Sequence, residues 1–516
     1  MALAILVFGN VYENVAFADD GTMDVTDFGA VGNGIADDRA AIQTAINTAA
    51  ANGGGVVYFP EGDYRVEEII QLKSNVSLQL DDDATIINGI NISGHPSIIF
   101  MTGPFTNDGE QVTWARTENI SISGGTIDMN GELSSDGSYC NNLPNIGSSG
   151  AFAIGYSDNF TIEDVTFKNS YKGHAIQICA CNGVEITDCT FVGQALPNYL
   201  TDSQIINLET IQIEPSTTNG FPYASNNTYE AARNVTISGC YFGASNECGE
   251  PVTAIGTHNQ VPDGQKCNNI WILNNTFSNM VYSGLRFCGY EDVVIRGNVF
   301  NKGTSSQSVN YRENGCYLIN AYCYNNTTDT MDLNKRITID NNSFYIADVK
   351  TRPIRVARDK EEISGTVSDI TITNNTIVNT SSGSTDVGIH ALRISSGLII
   401  TGNSITGGYR GIEVQNCSGS ITISNNAISG LDYQYVRIIG CGDYQKINLF
   451  THGCGTINMV TANGKYTFTA VPNSGYTFDA YYGENALETL ITRNISLTYN
   501  INKTTNVSRH PLFVAE

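Results

Sequence analysis

Bases are scarce in this sequence: 27 Lys and Arg stand against 51 Asp and Glu, for a formal charge of -24 and a pI near 4.5. Because binding to phosphates rests on Lys and Arg neutralising charge, nucleic acid and anionic membranes are excluded as main partners. An acidic polymer would need a local basic patch. Past the N-terminus there is no apolar run long enough to span a bilayer. The 13 cysteines lack zinc-site spacing, since Cys179-Ala-Cys181 has no second pair in range. An odd count scattered through a long chain reads as buried thiols packed as small hydrophobes. No metal and no cofactor is expected.

The 516 residues suffice for one large repetitive domain and a small one. Met1 to Phe8 is apolar, and Ala16-Phe17-Ala18 before Asp19 fits a small-x-small cleavage signal, although the basic segment that usually opens such a signal is missing. Residues 1–18 are therefore read as an export signal, and the mature chain as secreted, extracellular or surface-associated. Asp37 or Asp38 is placed to cap a helix in which Ile42, Ala45, Ile46 and Ala49 share one face. Gly53-Gly-Gly55 stops that helix, and Val56 to Tyr64 follows as a strand and turn.

This opening, Asp27-Phe-Gly-Ala-Val-Gly-Asn-Gly34 with Asp37-Asp38, the Ala-rich helix and the run from Gly53 to Tyr64, resembles the pectate-lyase-like superfamily. The resemblance covers about fifty residues and implies a right-handed parallel β-helix. It leaves the reaction open, because the superfamily holds hydrolases, lyases, epimerases and non-catalytic binders.

The rest of the chain supports the same all-β solenoid independently. Phe160 to Phe167, Val235 to Phe242, Ile337 to Phe344 and Ile421 to Ile428 each read as an alternating strand, a polar corner and a second apolar pair. Aligning such phrases puts Asn275, Asn298, Asn342, Asn375, Asn403 and Asn426 in one column, continued upstream by Cys189 and Cys240. That column predicts an internal amide ladder. Phe167, Phe191, Phe242, Phe277, Phe300 and Phe344 predict an aromatic stack beside it. The β-helix is assigned to residues 19–441, with a short N-terminal capping helix. Residues 442–516 form a small β-rich accessory module, whose Val471-Pro-Asn-Ser-Gly-Tyr-Thr-Phe478 resembles internalin-type B-repeats.

Three segments look like one strand written three times: Gly173 to Cys179, Glu209 to Glu214, and Val252 to His258. Strand alternation turns Ile176, Ile178, Ile211 and Ile213 inward and sends Gln177, Gln212, Glu214 and His258 outward, with Arg286 in the column of the two glutamines. Rungs lie about 4.8 Å apart, which makes Glu214 and His258 neighbours. His174 and Glu209 form a second pair where each strand leaves its turn. The insertions Gln194 to Asn207 and Ser216 to Ala232 flank this strip and suggest a groove. Trp114, Tyr156 and Tyr290 are candidate platforms for stacking sugars.

On this reading Glu214, Glu209 and His258 are catalytic, while His174, Gln177, Gln212, Arg286 and Tyr290 bind a carbohydrate substrate. Two glutamates with two amides and few cations favour a glycoside hydrolase acting on a largely neutral glycan. Glu209 and Glu214 are five residues apart on one strand, roughly 16 Å when extended, so they are not a properly spaced carboxylate pair. One alternative is a polysaccharide lyase or epimerase, using His258, Arg286 and Tyr290 on a uronate. The Asp-Pro-His motif of the alginate epimerases and the Asp-Asp with Gly-His pattern of the polygalacturonases are both absent. The other alternative is a non-catalytic glycan-binding or adhesive β-helix.

Overall fold

The computed structural model describes residues 22–515 apart from 105–111, 218–219, 226–227, 258–264, 304–315, 324–333, 349–350, 360–364, 382–386, 433, 442–445, 450–454, 463–464, 473, 483–489, 493–495 and 501–506. The expected export signal and His258 lie outside the described residues. The chain winds into a right-handed parallel β-helix, each coil giving one strand to each of three long sheets. Strand alternation sends Val, Ile, Leu and Phe inward from all three sheets, so one continuous apolar core runs the length of the solenoid.

Helix α1, Arg39–Ala51, lies over the open N-terminal end with Ile42, Ala45, Ile46 and Ala49 fully buried. The expected caps take different jobs. Asp38 stands at the N-cap position, but its carboxylate accepts from the backbone N–H groups of Val31 (2.6 Å) and Gly32 (3.2 Å) and ties down the preceding loop. Asp37 accepts from the first helical N–H, at Arg39, and from Glu67 N, both at 3.1 Å.

The amide ladder is built as the spacing predicts. Asn298 donates from its backbone N (3.0 Å) and from Nδ2 (2.9 Å) to Asn342 Oδ1, and Nδ2 also reaches Ile272 O at 2.9 Å. The same pattern links Asn275 to Asn298, Asn342 to Asn375, Asn375 to Asn403 and Asn403 to Asn426. Cys240 joins the column by donating its backbone N–H to Asn275 Oδ1 at 2.9 Å. A sharp corner buries backbone groups that no strand partner can reach, and a side-chain amide repeated in every coil satisfies them. Beside it, the rings from Phe167 to Phe344 stack with centroids 4.6 to 5.1 Å apart. The twelve described cysteines are all buried and unbridged.

Pairing changes character beyond the last coil. Gly455–Ala462 joins Ile421–Ser424 antiparallel, and Lys446–Leu449 joins Gln434–Ile439 antiparallel. The described strands from there on extend two of the long sheets.

Candidate functional site

The strip singled out in the sequence lies on one sheet, across strands β1 (Ile176–Cys179), β2 (Glu209–Glu214), β3 (Thr253–Gly256) and β4 (Ser283–Phe287). Cα register aligns Gln177 with Gln212, Gln212 with Gly256, and Gly256 with Arg286. The expected column therefore exists. Glu214 stands two residues along, opposite Cys179. β3 stops at Gly256, where a Cβ would come within 1.8 Å of Arg286 O, so the backbones approach more closely than any side chain allows.

The expected groove does not lie over this strip, because the strip is covered. Glu209 and Glu214 are 0% exposed, Gln212 is 1% and Gln177 and Arg286 are 6%. The insertion after β2 folds back over the sheet. Its Tyr223 donates its hydroxyl to Gln177 Oε1 at 2.7 Å, while Gln177 Nε2 donates to Gln212 Oε1 at 2.7 Å. Phe221 of the same insertion meets Trp114 edge to face at 5.0 Å. The three sugar platforms are buried as well: Trp114 is 2% exposed and donates to Pro104 O, Tyr156 is 5%, and Tyr290 is 1% with its hydroxyl on Ile213 O at 2.7 Å. Loops rich in Phe and Tyr beside a sheet served as lids over it, burying apolar rings together with the polar row beneath.

The two carboxylates are held by different partners. Thr257 donates to Glu214 Oε1 at 2.9 Å. Arg286 donates from Nη1 to Glu209 Oε1 at 3.0 Å and to Ile206 O at 3.1 Å, and its guanidinium lies 4.7 Å from the Tyr322 ring centroid. Burial opposes the positive charge on Arg286, but Tyr322 and Glu209 outweigh it and raise its pKa. His174 Nδ1 is 2.5 Å from Glu209 O and 3.9 Å from Glu209 Oε2, so the predicted His174–Glu209 pair is brought together. Helix α2, Asp202–Ile205, belongs to the insertion that precedes β2. The thiols of Cys179, Cys181, Cys267 and Cys288 are pushed up by burial.

Sequence reasoning missed the continuation of the column. β5 (Cys316–Ala321), β6 (Thr351–Ala357), β7 (Val387–Leu392), β8 (Arg410–Gln415) and β9 (Gln434–Ile439) extend it from Arg286 through Asn320, Arg355, His390 and Glu413 to Arg437. Extending the strand alignment past Arg286 would have found them. Among the described residues no cluster of His, Cys, Asp and Glu fit to hold a metal is present, and no helix is long and apolar enough to cross a membrane.

A family model described as rhamnogalacturonase A/epimerase, pectate lyase-like, matches residues 22–245. The chain belongs to the pectate-lyase-like superfamily. Within that superfamily it is similar over most of its length to a protein of Streptococcus pneumoniae, plasmin and fibronectin-binding protein A. The two are 53% identical over 449 residues, 87% of this chain and 62% of that protein, so the chain spans less than two thirds of its relative. The crystal structure of PfbA, described as a surface adhesin of the same organism, superposes with a TM-score of 0.83 at 52% identity and covers 88% of this chain and 99% of that one. A mannuronan C5-epimerase of Azotobacter vinelandii is 50% identical over only 62 residues, 11% of this chain and 6% of that protein. The expectation of a glycoside hydrolase is corrected by these findings: likeness across most of the chain leads to an adhesin, and likeness to a carbohydrate enzyme is short.

Proposed function

We propose that this chain is a rigid, non-catalytic, cell-surface β-helix that binds extracellular proteins of the kind its pneumococcal relative is named for, plasmin and fibronectin. The observation that carries the reading is 53% identity sustained over 87% of the chain. The burial of Glu209 and Glu214 agrees with it, since a carboxylate that works on a polymer must touch it, and these two touch Arg286 and Thr257. A solenoid suits adhesion physically: its parallel ladders and side-chain stacks make a stiff rod that presents an extended surface without paying ordering entropy on binding.

Surface plasmon resonance of the purified chain over immobilised fibronectin and immobilised plasmin tests this. Saturable binding to at least one of them is the expected outcome. Failure to bind either, by a chain shown by circular dichroism to be folded, contradicts it.

A further inference from the structure

The three sheets of the solenoid differ in what they show to solvent. The sheet with the glutamate strip is covered there by Tyr223 and its loop. The sheet that contains Ser157–Glu163 and Asn182–Thr187 is open but charged, with Glu163, Glu185, Arg296 and Asp340 at outward positions. The remaining sheet is open and uncharged over most of its length. Its strands Thr190–Ala195, Tyr241–Gly243, Thr276–Ser278, Val299–Lys302, Ser343–Ile346, Thr376–Asn379, Ser404–Thr406 and Ala427–Ser429 stack in register on eight successive rungs. On each rung a Phe or Ile points inward between two outward positions, and those positions hold Thr, Ser, Val, Ala, Gly, Asn or Tyr. Lys302 is turned inward, its ammonium on Met280 O at 2.9 Å. At about 4.8 Å per rung the uncharged strip is about 34 Å long, in a chain that carries 51 acids and 27 bases.

Two tyrosines stand on this strip. Tyr241 is 39% exposed and Tyr345 is 49% exposed. Tyr241 lies along its own strand: a Cβ at Gly243 would come within 2.5 Å of its Oη and 2.8 Å of two ring carbons, so the ring occupies the space that the glycine leaves. Tyr345 is three rungs further on, in the neighbouring column. Exposed rings fixed on a rigid sheet bury apolar area on contact at little cost in side-chain entropy. The core of a protein interface has the same composition, rich in aromatic rings and poor in charge, because a charge buried there needs a partner of opposite sign. Sites for small ligands are concave with convergent polar groups, and a sheet face of Thr, Ser and Val is not.

We propose that this uncharged sheet face, with Tyr241 and Tyr345 as its anchors, is where the protein partner docks, and that it takes an equally uncharged face of that partner. The inference rests on the protein-binding reading above and adds the place and the chemistry of contact. Association through such a face is insensitive to salt, since no ion pair is made or screened in its core.

Surface plasmon resonance of the whole chain over immobilised fibronectin and plasmin, with Tyr241→Ala, Tyr345→Ala and Ser278→Glu beside the unaltered chain, makes the test. Each substitution is expected to weaken binding by about tenfold or more at unchanged melting temperature. The affinity of the unaltered chain is expected to hold to within about twofold between about 0.05 M and about 0.5 M sodium chloride. Should Ser278→Glu lose its fold, the two tyrosine variants carry the comparison. Unchanged affinity in the folded variants, or a tenfold loss on raising the salt, overturns this site while leaving the adhesive function standing. Loss of binding when the partner is enzymatically stripped of its glycans overturns the protein-surface contact in favour of a sugar. Absence of fibronectin and plasmin binding by the folded, unaltered chain overturns the site and the adhesive function together.

Discussion

His390 is a buried imidazole among charges of both signs, and its environment gives the chain a defined response to acid. Burial first, and then the positive charge of Arg355, push its pKa down to about 4, with a further push from Arg352 and an opposing pull from Glu413 and Gln415. An unfolded histidine titrates near 6.5, so between pH about 6.5 and 4 the unfolded chain binds a proton that the folded chain refuses. This contribution to stability is therefore complete above about pH 6.5 and falls as the pH drops toward 4, by about 3 kcal/mol in all. Urea midpoints measured at pH 7 and pH 4.5 should fall less for His390→Leu than for the unaltered chain. An equal fall in both would mean that the ring is not held neutral. Glu209 is the second residue with a single-site consequence. Glu209→Gln leaves the Arg286 guanidinium buried without its carboxylate and is expected to cost about 3 kcal/mol, seen as a clear drop in melting temperature. An unchanged melting temperature would show that the pair contributes little. Neither role is legible in the sequence, because burial of Glu209 and His390 is decided by what packs over the sheet and not by strand alternation.

At the scale of elements, the amide ladder and the phenylalanine stack carry the coil-to-coil register. Asn342→Ala removes the acceptor used twice by Asn298 and the donor bonded to Ile295 O, so about 3 kcal/mol of destabilisation is expected. Phe277→Ala opens a gap between Phe242 and Phe300 and should cost about 3–5 kcal/mol. Denaturant titrations of the two variants check these values, and losses below about 0.5 kcal/mol, the size of an ordinary surface substitution, would contradict the ladder and stack as structural supports. Both devices could be read from the sequence because each coil repeats one residue type at one corner, even though the spacing varies between 23 and 44 residues. The covering of the strip could not. Tyr223 lies 46 residues from Gln177, in an insertion that occurs once and has no period to align. An insertion flanking a sheet reads the same in sequence whether it walls a groove or lies down as a lid; here Phe221 and Tyr223 make it a lid.

Over the whole molecule, a repeated scaffold was recognisable from its opening motif and its alternating strands, while function was not, since the superfamily fixes a shape and leaves the outer columns free to change. Strand alternation placed Gln177, Gln212 and Arg286 in one column, and the structure keeps them there, but as part of the packed body of the rod. The chain is proposed to work by binding a protein, with the covered glutamates taking no direct part in it. The most direct test compares the equilibrium affinity of Glu214→Gln and of the unaltered chain for immobilised fibronectin, both at a temperature where each is folded. The expected result is saturable binding with the same affinity to within about twofold, below the ~1.4 kcal/mol that separates a tenfold change. A loss of tenfold or more in a variant that melts at the unaltered temperature would contradict the account and put that buried carboxylate in a working site.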